Sequence, residues 1–227
     1  MAIYRSLAAY HIVIKPYKSL FSRLSKQYNI FITDLGAFRS RNSISTIIKC
    51  YFKKPGDLEK LLEDLVSNPN IIQIKVLEKN RKTASLIITK KACDFYEKML
   101  ANEIPILLPY SIVNGYKKLV IIPLGEEIGS IMSKISHHGR IVNVERLPFD
   151  KALLKLSNYI NIVNLFSLLS DKQLSIISFA YAKGFYEWPR KTSISKIATL
   201  LGLSKSTTCE YLRKAESKIV KYILGET

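Results

Sequence analysis

The sequence predicts an α+β chain: two tandem βαββαβ units followed by an all-α C-terminal domain. Three observations carry that prediction. Short runs rich in Ile, Val and aromatics alternate with amphipathic helical runs over the first two thirds. The same order of runs recurs after about 70 residues. From Leu169 onward the strand-like runs stop and helical patterns take over. The chain has 227 residues, 48 % of them apolar, which suffices for packed cores and excludes wholesale disorder.

In the first repeat, Tyr10 to Lys15 reads as a strand. His11 and Lys15 cut its apolar run too short for a signal peptide, and no small-x-small cleavage site follows. Ser19 to Gln27 reads as a helix. Asn29 to Asp34 and Ile44 to Phe52 read as strands on either side of the polar turn Arg39-Ser40-Arg41-Asn42-Ser43. Pro55-Gly56-Asp57 opens a helix with Leu58, Leu61, Leu62 and Leu65 on one face. Asn68-Pro69-Asn70 ends it, and Ile71 to Leu77 is the fourth strand. The second repeat follows with a strand at Ser85 to Thr89 and a helix at Lys91 to Leu100. Ile104 to Val113 is a strand in which Pro105 and Pro109 predict an edge or an irregularity. Asn114-Gly115 is a hairpin signal leading into Lys118 to Ile122. Gly125-Glu126-Glu127 opens the next helix, Gly139 closes it, and Arg140 to Leu147 is the last strand. Each repeat matches the split βαβ pattern, so a ferredoxin-like, ACT-like architecture is expected for both.

Asp150 to Ser167 reads as a connecting helix with Leu156, Tyr159, Val163 and Phe166 on one side. That face packs on the N-terminal module or makes a dimer. Ser170-Asp171-Lys172-Gln173 is a capping box, followed by Leu174, Ile177 and Tyr181 and ended by Gly184. The aromatic connector Phe185 to Arg190 contains Pro189 and cannot be helical throughout. Thr192 or Ser193 caps a short helix with Ile194, Ile197, Ala198 and Leu201 inward. Gly202-Leu203-Ser204 is a tight turn in which Leu203 is expected to plug the core and Ser204 to cap the next helix. That helix runs from Lys205 to about Leu224, with Thr208, Leu212, Ala215 and Ile219 inward. Its outward side presents Ser206, Glu210, Arg213, Lys214 and Ser217, flanked by Thr207 and Tyr211, with Lys205 at its start. A short helix, a Gly-containing turn and a longer helix are the grammar of a helix-turn-helix. Hydroxyls, cations and a carboxylate on the exposed side are the inventory for phosphate contacts and base-edge hydrogen bonds. The expected boundaries are 1–80 and 81–149 for the two repeats, 150–168 for the connecting helix and 169–227 for the DNA-binding domain.

The charge agrees with a polyanionic partner. Thirty-five Lys and Arg against 18 Asp and Glu give +17, and the excess is spread over both halves. No apolar run reaches the roughly 18 residues of a spanning helix. Cys50, Cys93 and Cys209 are odd in number and far apart, which argues against a disulfide framework or a paired-cysteine zinc site and fits the cytoplasm. The adjacent His137 and His138 point about 100° apart on a helix and lack neighbouring cysteines, so no metal is expected. Gly125 to Gly129 lacks the spacing and the Lys-Ser/Thr of a phosphate loop. No nucleophile–base constellation stands out, so the chain is expected not to be an enzyme and to need no cofactor. Lys15, Lys18, Arg39 and Arg41 could form an anion patch, although solvated loops are the commoner outcome for such residues.

The C-terminal residues resemble a known family. Leu169-x-x-x-Gln173, Ala180-Tyr181-x-x-Gly184-Phe185-Tyr186, Pro189-Arg190, Ile197-Ala198, Gly202 to Thr207 and Leu212-Arg213-Lys214-Ala215-Glu216 look like the archaeal bacterio-opsin-activator-type helix-turn-helix. The resemblance covers about fifty residues. It implies an archaeal DNA-binding transcriptional regulator, and the family's fold is similar to region 4 of sigma factors. By that similarity, Lys205 to Lys214 would enter the major groove, with Ser204, Lys205, Ser206, Thr207, Glu210, Tyr211, Arg213 and Lys214 at the DNA. Arg190, Lys191, Thr192 and Ser193 would grip phosphates. No PAS or GAF sensor signature accompanies the motif.

The expectation is therefore a DNA-binding regulator on double-stranded DNA, expected to be a homodimer. Its N-terminal module would serve dimerisation or sense a small-molecule effector. One alternative is an ACT-like ligand sensor with DNA binding secondary. Another is an RNA-binding protein, which would need exposed aromatics on central strands near Tyr51 and Phe52.

Overall fold

The computed structural model describes residues 8–54, 56–101 and 103–225. Pro55, expected to open a helix, lies outside the described residues, as do the residues before Ala8 and the Phe166 side chain. The chain forms two compact units, Met1–Val163 and Asn164–Thr227.

The first unit carries βαββαβ twice. The first set is β1 (Ala8–Pro16), α1 (Leu20–Gln27), β2 (Phe31–Ser40), β3 (Ser43–Tyr51), α2 (Asp57–Val66) and β4 (Ile71–Lys79). The second is β5 (Thr83–Lys91), α3 (Asp94–Leu100), β6 (Ile106–Val113), β7 (Tyr116–Ile121), α4 (Ile128–Ser136) and β8 (Gly139–Pro148). Helix α5 (Phe149–Leu168) follows. The α+β architecture is thus as the sequence predicts.

The pairing of the strands was not foreseeable from the pattern. All eight lie in one antiparallel sheet, in the order β4-β5-β3-β2-β6-β7-β1-β8. A βαββαβ unit that closed on itself would seat its first strand between its third and fourth. Here β5 fills the slot between β3 and β4, and β1 fills the slot between β7 and β8. The repeats have exchanged first strands. The cause is local. The β4–β5 connection spans residues 80–82, and the Asn80 side chain accepts the backbone N–H groups of Lys82 (2.9 Å) and Thr83 (2.8 Å). A side-chain-locked turn this short makes β5 the antiparallel neighbour of β4. The two halves meet where β2 pairs with β6, from Phe31↔Val113 to Asp34↔Tyr110.

A single apolar layer lies between the sheet and its helices. Phe21 and Leu24 of α1, Leu58, Leu61 and Leu65 of α2, Phe95 and Met99 of α3, and Ile131 and Ile135 of α4 pack in one cluster with the strands. Helix α5 sets Ala152, Leu156 and Tyr159 in a separate cluster with Ala9 and Val120. The Thr33 hydroxyl donates to the Tyr159 carbonyl at 2.8 Å. Leu156 and Tyr159 of the connecting helix are therefore covered by its own sheet. Asn114 and Gly115 form the predicted β6–β7 turn, with φ of 51° and 87°. The prolines do mark an irregularity, a register shift between Leu107 and Ser111, but β6 is an interior strand. Tyr51 and Phe52 are both buried, so they offer no stacking platform to RNA bases.

A buried polar knot sits at the seam. Asp34 is inaccessible, and its Oδ2 accepts hydroxyls from Thr46 (3.0 Å), Tyr96 (2.5 Å) and Tyr110 (2.9 Å). Its Oδ1 accepts the Gly36 N–H at 3.3 Å. The knot joins β2, β3, α3 and β6. Burial pushes the Asp34 carboxyl up, while the three hydroxyl donors favour the ionised form.

The cysteines differ sharply in environment. Cys50 on β3 is inaccessible and burial pushes its thiol up to about 12, whereas Cys93 and Cys209 are exposed. A thiol-reactive dye added to native protein should therefore titrate two cysteines rapidly and the third only on unfolding. Three rapid equivalents would mean that β3 is open in solution.

Candidate nucleic-acid interface

The second unit holds α6 (Asp171–Ala182), α7 (Ile194–Leu201) and α8 (Lys205–Ile223). Each starts on a serine cap. Ser170 Oγ accepts the Gln173 N–H at 3.2 Å, and the Gln173 side chain accepts the Ser170 N–H at 2.9 Å, so the predicted capping box is complete. Ser193, not Thr192, caps α7, accepting the Lys196 N–H at 3.2 Å. Ser204 caps α8, accepting the Thr207 N–H at 3.0 Å. Gly202 ends α7 at φ 64° and ψ 31°, a left-handed conformation that a side chain resists.

Ile176, Ala180, Phe185, Ile197 and Leu212 form the core, with Ala198, Thr208 and Ala215 also buried. One detail, the place of Leu203, differs from the expectation. Helix α6 turns Gln173, Ile176 and Ala180 inward, and Tyr181 is 76 % exposed. Gln173 is drawn in by its role in the cap and by the Lys218 ammonium at 3.3 Å. Leu203 is 36 % exposed, so it does not plug the core.

The core of α8 leaves its other side to solvent. Ser204, Lys205, Ser206, Glu210, Arg213 and Lys214 are exposed, and Thr207 and Tyr211 are half-buried at the flank. The hydroxyls of Ser206 and Thr207 both contact Ser204 Oγ, at 2.8 and 2.7 Å. Glu210 and Lys214 form an ion pair at 2.5 Å, one helical turn apart. The hydrogen bond from Lys214 holds the Glu210 carboxyl below its ordinary range, and Glu210 raises the Lys214 ammonium. Lys205 and Arg213 have no ion-pair partner among the described residues.

Arg190, Lys191, Thr192 and Ser193 lie together in the approach to α7. The Arg190 guanidinium stacks over the Phe185 ring at 4.6 Å, and Lys191 pairs with Glu187 at 2.5 Å. The connector is tied to α8 by the Tyr186 hydroxyl donating to Glu216 Oε1 at 2.5 Å. Neither α7 nor α8 has an acidic residue in its first turn, so both helix N-termini keep their positive ends open to an anion. Trp188, two residues before Arg190, is 96 % exposed; the sequence reading gave it no role. Among the described residues no cluster of three His, Cys, Asp or Glu side chains could hold a metal, and no helix is long and apolar enough to cross a membrane.

The caps can be tested directly. Ser204→Ala removes the acceptor for Thr207 N–H and should cost about 1 kcal/mol, read as a lower urea midpoint and faster amide exchange at the start of α8. Unchanged exchange there would remove Ser204 as the organiser of the turn.

Residues 169–221 match the family described as the HTH DNA-binding domain. A putative transcriptional regulator of Haloferax volcanii is 36 % identical over 60 residues, covering 26 % of this chain and 10 % of that protein. The dimethyl sulfoxide reductase transcriptional activator of Halobacterium salinarum is 45 % identical over 51 residues, 22 % of this chain and 23 % of that one. The bacterioopsin transcriptional activator of the same organism is 35 % identical over 52 residues, 23 % of this chain and 8 % of that one. The aligned stretch thus spans less than a quarter of each relative. No solved structure matches the chain. The C-terminal unit, with its capped helices, glycine turn and exposed cationic face, belongs to the bacterio-opsin-activator-type helix-turn-helix DNA-binding family.

Proposed function

We propose that the whole chain is a sequence-specific transcriptional regulator rather than an enzyme, acting in the cytoplasm as a homodimer. The observation that supports this most is the exposed side of α8, which offers hydroxyls, Glu210, Arg213 and Lys214 beside an acid-free, serine-capped N-terminus. In this reading α8 lies in the major groove. Arg213 suits guanine O6 and N7, and Glu210 suits a cytosine amino group. Lys214 exchanges its bond with Glu210 for a phosphate, which frees Glu210 for a base edge. Arg190, Lys191, Thr192 and Ser193 hold the backbone at the start of α7, and Lys205 does so at the start of α8. The first unit serves dimerisation or effector sensing. Its contribution to a dimer would place two recognition helices on paired half-sites.

Selection from random duplex DNA with the full chain should yield a palindromic motif. The double variant Arg213→Ala, Lys214→Ala should weaken binding to it by about 1–3 kcal/mol for the base contact and relax the preference at one position per half-site. Lys205→Met should instead weaken all duplexes alike and lower the salt slope by about one. Undiminished binding by the double variant at physiological salt would sink the assignment of α8 as the reading helix.

A further inference from the structure

The first unit contains a half-open cleft of about 720 Å³. Its lining is one-sided in charge. Lys15 and Lys18 come from the end of β1 and the loop after it, and Arg23 and Lys26 from α1. Lys90 and Lys91 come from the end of β5, and Lys117 from β7. Among the described residues no Asp or Glu lines the cleft. Arg39 and Arg41, grouped with Lys15 and Lys18 in the sequence reading, are not part of it. Arg23 is shared with Asp64, at 4.0 Å.

Two of these cations, Lys117 and Lys90, lie against aromatic rings. Lys117 is 4 % exposed, and its ammonium lies 3.3 Å from the centroid of the Phe95 ring. The Lys90 ammonium lies 4.1 Å from the Tyr96 ring centroid and 4.8 Å from that of Phe21. Neither ammonium makes a hydrogen bond or ion pair among the described residues. The nearby carboxylate, Asp34, is already bound by three hydroxyls. Two desolvated like charges side by side are costly unless an anion joins them. The Ser22 hydroxyl, also buried and on the cleft, has no hydrogen-bond partner. It stands in the first turn of α1, which has no acidic residue and directs its N-terminal end at the same space.

We propose that this cleft is a binding site for a small, multiply charged anion of the phosphorylated-metabolite class. The volume falls within the roughly 300–1,000 Å³ of small-molecule sites. A single carboxylate would leave most of the cations uncompensated, whereas phosphate groups suit lysine ammonium groups and a helix N-terminus together. This proposal deepens the effector role suggested for the first unit, but binding here is measurable without DNA.

Binding carries a proton signature. Burial, then the neighbouring Lys90, hold Lys117 down to about 7, against the pull of Asp34 and Cys93. Tyr96 and Phe95 from α3, Tyr110 from β6 and His138 before β8 complete its surroundings. An anion favours the charged ammonium, so at pH 8 binding should take up protons.

The test is calorimetry on the full chain with pyrophosphate, ATP and citrate at constant ionic strength, in two buffers of different ionisation enthalpy. Pyrophosphate or ATP should bind with proton uptake and should slow alkylation of Cys93, which lies on the cleft. Lys117→Met should weaken binding about tenfold or more. Ser22→Ala should weaken it less, and Lys172→Met, on α6, should leave it unchanged. Thermal melts check that each variant is folded. Tighter binding of citrate than of either phosphate would overturn the ligand class. No binding by about 10 mM, or equal weakening in Lys172→Met, would overturn the site and leave only general counterion attraction. Lys117→Met should still bind DNA, and the Arg213→Ala, Lys214→Ala variant should still bind the anion, so the two readings fail separately.

Discussion

The three-residue turn at residues 80–82 constrains the whole first unit. Once Asn80 closes that turn, β5 is committed to β4, and β1 alone can fill the gap between β7 and β8. Neither repeat then closes a sheet by itself. The seam between β2 and β6 becomes an interior pairing, and the Asp34 knot bridges it with hydroxyls from both repeats. Such a knot is stabilising only while every donor is met, because an unpaired acceptor in that interior carries its full desolvation penalty. The exchange also decides what faces what. Lys90 on β5 and Lys117 on β7 belong to the second repeat, whereas α1 and the end of β1 belong to the first. They share one cleft because the strands crossed over.

The second unit follows a different logic. Helices α6 and α7, of 12 and 8 residues, are marginal without tertiary support. Support comes from small residues that let α7 and α8 approach, Ala198 and Ala215, and from caps that satisfy the helix ends. The same caps leave the N-termini of α7 and α8 free of carboxylates. A feature that stabilises the fold thus also prepares a phosphate-facing surface. The Glu210–Lys214 bond adds a second economy. It satisfies both charges in the free protein, is weak because it is exposed, and is readily exchanged for DNA groups.

What the sequence disclosed, and what it hid, follows the range of the interactions involved. Caps, turns and helix faces depend on residues within one turn of each other. Ser170 with Gln173, Asn114 with Gly115, and Thr208 with Leu212 and Ala215 were therefore legible. The exchange of β1 and β5 was not, because strand alternation is the same whichever partner a strand takes. The burial of Gln173 and the exposure of Leu203 were less legible. Gln173 took an inward place that hydropathy assigns to an apolar residue, and Leu203 stays 36 % exposed. The cleft left a faint trace. Lys90 continues the buried face of Ala84, Leu86 and Ile88, and Lys117 that of Leu119 and Ile121. Asp34 continues that of Ile30 and Ile32. A charge in phase with a buried strand face is a readable signal, though it does not tell which charges will meet.

That phase argument separates these lysines from the rest of the +17. A surface lysine costs almost nothing, since water keeps its charge and its stem is free. Lys117 has lost the water, lies on Phe95 and has Lys90 as a neighbour as well as Asp34, whose carboxylate is already bound by three hydroxyls. The ring contact recovers only part of the lost hydration. An anion entering the cleft would meet the Lys90 and Lys117 ammonium groups together and favour their charged forms. Residues whose burial works against the fold, grouped on one open cavity, are better explained by what they bind than by what they stabilise.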